Sequence, residues 1–195
     1  MSAANKITLL RIVLIPLLLA FMVPDHVVDR WIALAIFLLA SATDWLDGYV
    51  ARSRGQVTRL GKLLDPVADK LLVTAALLPL VRKDLVPDFM AALLIGREFL
   101  VSGLRSAASA EGVVIAAGQV GKWKMGMSIA AISFLIVTPR NPANTWPTWV
   151  PDGAYFVIGT AFLWATLALS IGSAALYFWE YRHFIHTQKE TPAAP

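Results

Sequence analysis

The chain has no cysteine, which excludes disulfides, thiol nucleophiles and zinc–thiolate sites and leaves the redox state of its compartment unreadable. Charge is scarce too. Asp, Glu, Lys and Arg make up 15% of the 195 residues against 57% hydrophobic, and the mean hydropathy is +0.64. A soluble domain of this length does not carry that composition, whereas a polytopic membrane protein does. Acids are the rarer sign, 13 against 17 Lys and Arg. The bases fall between apolar runs instead of forming one patch, so contact with membrane lipids explains them and no nucleic-acid partner is expected. Histidine is almost missing as well. His183 and His186 have no third ligand in sequence and His26 is remote, so no metal site is read there.

Apolar runs, by contrast, are abundant. Six occur, over 7–23, 31–50, 63–81, 87–110, 117–138 and 155–179, each close to the length that crosses a bilayer core as a helix. The expected fold is all-α: an integral membrane bundle of six transmembrane helices. The first run is interrupted by Arg11 and shows no small-residue cleavage site before Pro24, so it reads as a retained span, not a signal peptide. Six spans put both termini on one side. That side collects Lys6, Arg11, the loop bases Arg52, Arg54, Arg59 and Lys62, then Lys122, Lys124, Arg182 and Lys189. The opposite side has Arg30, Arg82, Lys83 and Arg140, offset by Asp25, Asp29, Asp84, Asp88 and Asp152. The asymmetry places the termini in the cytoplasm. Residues 1–186 read as one domain and 187–195 as a disordered tail. Trp31, Trp45, Trp123, Trp146, Trp149 and Trp179 fall near span ends, as interfacial anchors do.

Against this background, four aspartates within twenty-six residues, Asp44, Asp47, Asp65 and Asp69, stand out. One aspartate at the middle of a span costs about 2.5–3.5 kcal/mol, and four together repel one another. A divalent cation or two among them accounts for the cluster. At ~100° per residue, Asp44 and Asp47 lie about 60° apart on one helix and Asp65 and Asp69 about 40° apart on another. Two facing helices would converge all four. Oxygen-only ligands suit Mg²⁺ or Mn²⁺. Gly48 and Ala51 share the stripe of the first pair and leave room for a ligand against the backbone. Asp65 and Pro66 would cap and open the third helix, which sets the acids at the membrane boundary, within reach of a water-soluble reactant.

The string Asp44-x2-Asp47-Gly48-x2-Ala51-Arg52-x8-Gly61-x3-Asp65-x3-Asp69 resembles, at all eight fixed positions, the signature of the CDP-alcohol phosphatidyltransferase family. That resemblance implies a CDP-diacylglycerol donor, an alcohol acceptor, release of CMP and a homodimer. Asp44, Asp47 and Asp65 then serve mainly as ligands of paired Mg²⁺ ions. Asp69, deepest in its helix, is a further ligand and the candidate base. Thr8, Arg11, Asp47, Gly48, Ala51, Arg52 and Gly61 are the donor-binding candidates.

Arg97, Glu98 and Arg105 interrupt the fourth span, and Lys122 and Lys124 open the fifth. One reading is an ion pair, Glu98–Arg97 or Glu98–Arg105, that only joins helices. The other is a basic pocket of Arg97, Arg105, Lys122 and Lys124 for an anionic acceptor, since guanidinium groups match phosphate oxygens bidentately. Gly96-Arg97-Glu98-Phe99-Leu100-Val101-Ser102-Gly103-Leu104-Arg105 and Gly121-Lys122-Trp123-Lys124 are similar to the segments of family members whose acceptor is sn-glycerol 3-phosphate. Asn5-Lys6-Ile7-Thr8-Leu9-Leu10-Arg11 resembles their N-terminal motif. The segment at Gly121–Lys124 departs from theirs at the next position, where Met125 stands in place of an expected threonine. The implied reaction forms phosphatidylglycerophosphate at the cytoplasmic face of a bacterial cell membrane. The alternatives are the same chemistry on inositol phosphate, serine or a lipid, an intramembrane prenyltransferase, and a divalent-cation channel or transporter. A prenyltransferase needs more spans and lacks the Asp-Gly-x2-Ala-Arg continuation; an ion path spreads its acids through the membrane depth.

Overall fold

The computed structural model describes residues 3–54, 59–110, 119–140 and 153–188. Six helices occupy them: α1 Ala3–Met22, α2 Val27–Arg54, α3 Arg59–Arg82, α4 Asp88–Ala110, α5 Gln119–Val137 and α6 Ala154–Gln188. No strand occurs among the described residues. Every expected apolar run falls on one helix, so the all-α reading holds. By length and composition, one stretch among the described residues, Ala154–Leu176 of α6, is long and apolar enough to cross a membrane by itself, and shorter apolar stretches run over Leu9–Met22 and Trp123–Val137.

One local expectation is corrected. Asp65 and Pro66 do not open the third helix, because α3 already begins at Arg59 and has no acid in its first turn. Arg59, Leu60, Lys62, Leu63 and Leu64 are strong helix formers, and they continue the helix back into the basic segment. Pro66, which lacks the N–H that would bond the carbonyl four residues earlier, is carried inside the helix. Asp65 consequently sits about 9 Å from the start of α3 along its axis. At the other end of the chain α6 runs to Gln188, past the expected tail boundary at 187, and 189–195 lie outside the described residues.

The connections explain the directions of the helices. Asp84, at φ 62°, makes the sharp turn between α3 and α4. The amides of Lys83 and Leu85 close the end of α3 on the carbonyls of Pro79 and Leu80, at 3.0 Å each. At this end Lys83 bonds Asp25 at 3.2 Å and the carbonyl of Pro24 at 3.1 Å. Arg140, just past α5, bonds Asp84 at 3.1 Å through its side chain and Asp25 at 3.2 Å through its amide. The clasp gathers the α1–α2 turn, the α3–α4 turn and the end of α5, so α3 and α5 run the same way and α4 runs against them.

Packing follows from small and branched side chains. The most extensive interface is α5 on α6, followed by α1 on α2 and on α3, with α2 on α5, α3 on α4 and α4 on α6 completing the bundle. Phe37, Ala40, Ala76, Leu77, Met90, Ile132, Leu135 and Leu163 form its centre, all nearly inaccessible. At Gly159 the α5–α6 approach is so close that an added Cβ would lie 2.8 Å from Leu135 Cγ and 3.2 Å from its backbone nitrogen. The outer surface inverts the usual pattern. Val13, Leu39, Leu78, Leu100, Val157 and Leu176 are exposed while Arg11 and Arg30 are buried.

Candidate active site

Helices α2 to α6 surround a cavity of about 330 Å³. Lys70 enters it from α3, Arg97 and Arg105 from α4, and Lys124 from α5, with Glu98 among them. Among the described lining residues, four are cations and one is a carboxylate. Arg97 is held by three partners. Its Nε donates to the carbonyl of Ser170 at 2.9 Å, one terminal nitrogen donates to Glu98 Oε1 at 2.9 Å and the other to Ser173 Oγ. Lys124 Nζ donates to the same Glu98 oxygen. A chain of contacts thus runs from α5 through α4 to α6. With Arg97 11% and Lys124 13% exposed, these ion pairs are shielded enough from water to hold their geometry.

The Arg97–Glu98 pair exists and ties helices together, and the same residues wall a cavity that Arg105 and Lys124 share. Lys122 was expected with them, and its side chain lies outside the described residues. Sequence reasoning missed Lys70, having stopped at Asp69. The available signal was periodicity: Lys70, Val73, Thr74 and Leu77 follow the i, i+3, i+4, i+7 pattern of one helix face, and all four line the cavity. Lys70 Nζ also stands 5.8 Å from the centre of the Phe99 ring, a cation–π contact between α3 and α4.

The expected metal and donor residues lie on α1, α2 and α3. The chain is helical at 44, 47, 65 and 69, so each acid pair keeps the one-turn spacing on which a shared ion depends. The side chains of Asp44, Asp47, Asp65 and Asp69 lie outside the described residues, as do Thr8, Gly48, Ala51, Arg52 and Gly61 beyond their helical backbone. Arg11, the remaining donor candidate, is wholly buried in α1, the helix that packs on both α2 and α3.

Residues 1–172 match the CDP-alcohol phosphatidyltransferase family, a span that includes both the acid pairs and the cationic cavity. The CDP-diacylglycerol–glycerol-3-phosphate 3-phosphatidyltransferase of Bacillus subtilis (strain 168) is 46% identical over 145 residues, 68% of this chain and 75% of that one. The protein of the same name from Pseudomonas fluorescens is 37% identical over 171 residues, 86% of this chain and 87% of that one. A cardiolipin synthase (CMP-forming) of Oryza sativa subsp. japonica is 32% identical over 194 residues, 91% of this chain and 56% of that protein. With the eight-position signature, the helical acid pairs and these relatives in agreement, the chain belongs to the CDP-alcohol phosphatidyltransferase family.

Proposed function

We propose that this chain transfers the phosphatidyl group of CDP-diacylglycerol to sn-glycerol 3-phosphate, releasing CMP and forming phosphatidylglycerophosphate. The observation that carries the choice of acceptor is the meeting of Arg97, Arg105, Lys124 and Lys70 on one cavity. A phosphomonoester dianion is the ligand that a cluster of guanidinium and ammonium groups recognises, by charge-assisted and bidentate hydrogen bonds that an uncharged alcohol does not make.

Asp44, Asp47, Asp65 and Asp69 fit a divalent ion: the donors are all oxygen, and the helical backbone keeps each pair one turn apart. Bound there, Mg²⁺ or Mn²⁺, as a pair, would neutralise charge on the diphosphate of the donor. The residues of the chain do the rest. Arg97 needs no reorganisation, because α4 and α6 already hold it. Arg105 and Lys124 complete the grip on the acceptor phosphate, with Lys122 assigned to the same group. Asp69 accepts the proton of the attacking hydroxyl. That oxygen bonds to the phosphorus next to the lipid, and CMP departs with the electrons of the broken P–O bond. Thr8, Arg11, Asp47, Arg52 and Gly61 hold the donor, with Gly48 and Ala51 admitting it against α2.

The setting we infer is a bacterial cell membrane, crossed by all six helices, with both termini and the acids at the cytoplasmic rim, and the enzyme a homodimer. The exposed apolar girdle around buried Arg11 and Arg30 supports this, since charge in a bilayer belongs inside the bundle. Family membership sets aside the prenyltransferase and ion-transport readings. Acceptor identity is the part that varies within the family, as the name of the rice relative indicates. Purified protein with CDP-diacylglycerol, Mg²⁺ and a panel of glycerol 3-phosphate, inositol phosphate, serine and phosphatidylglycerol decides it. CMP release is expected with glycerol 3-phosphate; release with another member alone overturns the reading.

A further inference from the structure

The charged groups of the cavity gather toward one end: Arg97, rooted one turn from Leu94, carries its guanidinium to Ser170 and Ser173. The end away from the Asp25–Lys83–Asp84–Arg140 clasp is lined by Ser41, Lys70, Arg105, Lys124 and Ser173, one residue from each of the five helices. Toward the clasp the same helices contribute Phe37, Leu77, Leu94, Ile132 and Leu163. On α4 Arg105 and Leu94, and on α5 Gly121 and Ile132, are eleven residues apart, so the gradient extends over about 16 Å. Two of the hydroxyls along it are turned away. Ser41 Oγ donates to the Phe37 carbonyl at 2.8 Å and Thr166 Oγ1 to the Phe162 carbonyl at 2.8 Å, each on its own helix. The floor therefore offers methyl and ring surface under a rim of positive charge.

Glycerol 3-phosphate does not match this floor. Its hydroxyls gain nothing from Leu77, Ile132 or Leu163 and would lose water there. An apolar cavity of about 150 Å³ holds one benzene, so about 330 Å³ takes roughly twice that many heavy atoms. Those suffice for a phosphate head and a chain of about six carbons.

We propose that the floor is a second subsite, distinct from the acceptor phosphate grip and continuous with it, and that it binds the chain of a short alkyl phosphomonoester whose head lies among Lys70, Arg105 and Lys124. Such a compound competes with the acceptor and is not turned over, because it carries no hydroxyl to attack the donor. Each methylene buried in the floor is worth about fourfold in affinity. The inference rests on the acceptor reading above for the position of the head, while the floor itself is a property of the cavity.

The test uses the purified full-length chain with methyl, butyl, hexyl, octyl and decyl phosphate. Inhibition of glycerol-3-phosphate-dependent CMP release should be competitive with the acceptor and not with CDP-diacylglycerol. It should tighten about fourfold per carbon up to hexyl, then level off. Micelle partitioning gives no such plateau. Filling the cavity by Ser128→Leu, or independently by Val73→Phe, should flatten the chain-length dependence and leave the glycerol 3-phosphate KM unchanged. Thermal stabilisation by hexyl over methyl phosphate gives the same answer without turnover. If glycerol 3-phosphate supports no CMP release yet hexyl phosphate stabilises the parent and not the filled variants, the acceptor reading fails and the floor stands. Equal effects of methyl and hexyl phosphate, or a chain-length slope that survives both fillings, overturn the proposal.

Discussion

Arg97 divides its guanidinium among Ser170, Ser173 and Glu98, which makes it a strut between α4 and α6, whereas Arg105 and Lys70 enter as residues that line the cavity. The difference separates what their substitutions do. Arg105→Ala should raise the glycerol 3-phosphate KM by on the order of tenfold to a hundredfold, the worth of a hydrogen bond to a charged group, with CDP-diacylglycerol binding unchanged. Initial-rate kinetics in both substrates check this. Asp69→Asn should lower CMP release by about 10²–10⁴-fold, the usual contribution of a positioned base, while donor binding persists. Asp44→Asn should instead shift the Mg²⁺ dependence to higher concentration. Equal activity of Asp69→Asn and parent would remove the base assignment. At this scale the sequence spoke clearly about chemistry: carboxylates in apolar surroundings and arginines inside a span are costly and so conspicuous. It was silent about Lys70, because a lysine at the end of an apolar run is equally well explained as an interfacial anchor, and only burial within the bundle distinguishes the two.

The elements show where spacing is enough and where packing decides. Helix periods and run lengths placed the ends of the six helices within about four residues, except that α6 runs nine residues past its expected end, since a helix satisfies its own backbone and needs no neighbour to define it. The start of α3 was misplaced because Asp-Pro is a common helix opening, and the pull of good helix formers before it outweighed the missing hydrogen bond. The α5–α6 contact at Gly159 depends on the partner helix. Gly159→Leu should destabilise the protein by about 1–3 kcal/mol through overpacking against Leu135, and Gly159→Ala by less. Arg97→Met, which leaves Glu98 paired with Lys124 and strips α4 of its bonds to α6, should cost about 2–3 kcal/mol. That is below a fully buried pair because Glu98 keeps 31% exposure. Thermal unfolding in detergent measures both, and Gly172→Ala, with nothing within 4 Å of the added Cβ, is the control expected to be near neutral.

For the molecule as a whole, the distribution of charge predicts an orientation, and the absence of cysteine makes it simple to read. Single replacements Arg54→Cys and Gln188→Cys should react with a membrane-impermeant maleimide only from the cytoplasmic side of sealed vesicles, and Asp84→Cys only from the other. Labelling of all three from one side would overturn the six-span topology. The clasp of Asp25, Lys83, Asp84 and Arg140 lies at the end where Asp84 is to be probed, and the cationic rim at the opposite end. Anionic substrate and basic loop thereby share one face, which is the arrangement a water-soluble acceptor and a membrane-held donor both require.

Composition and spacing alone determined the helical class, the six helices of the described residues, the family signature and the basic side chains of the fourth and fifth spans. These are local or compositional properties, written in the order of residues along one chain. Tertiary structure decided which cations share a cavity, that Glu98 links Arg97 to Lys124, and that apolar residues from five helices form a floor beneath them. Those facts depend on distances between helices, which no periodicity within a single helix contains.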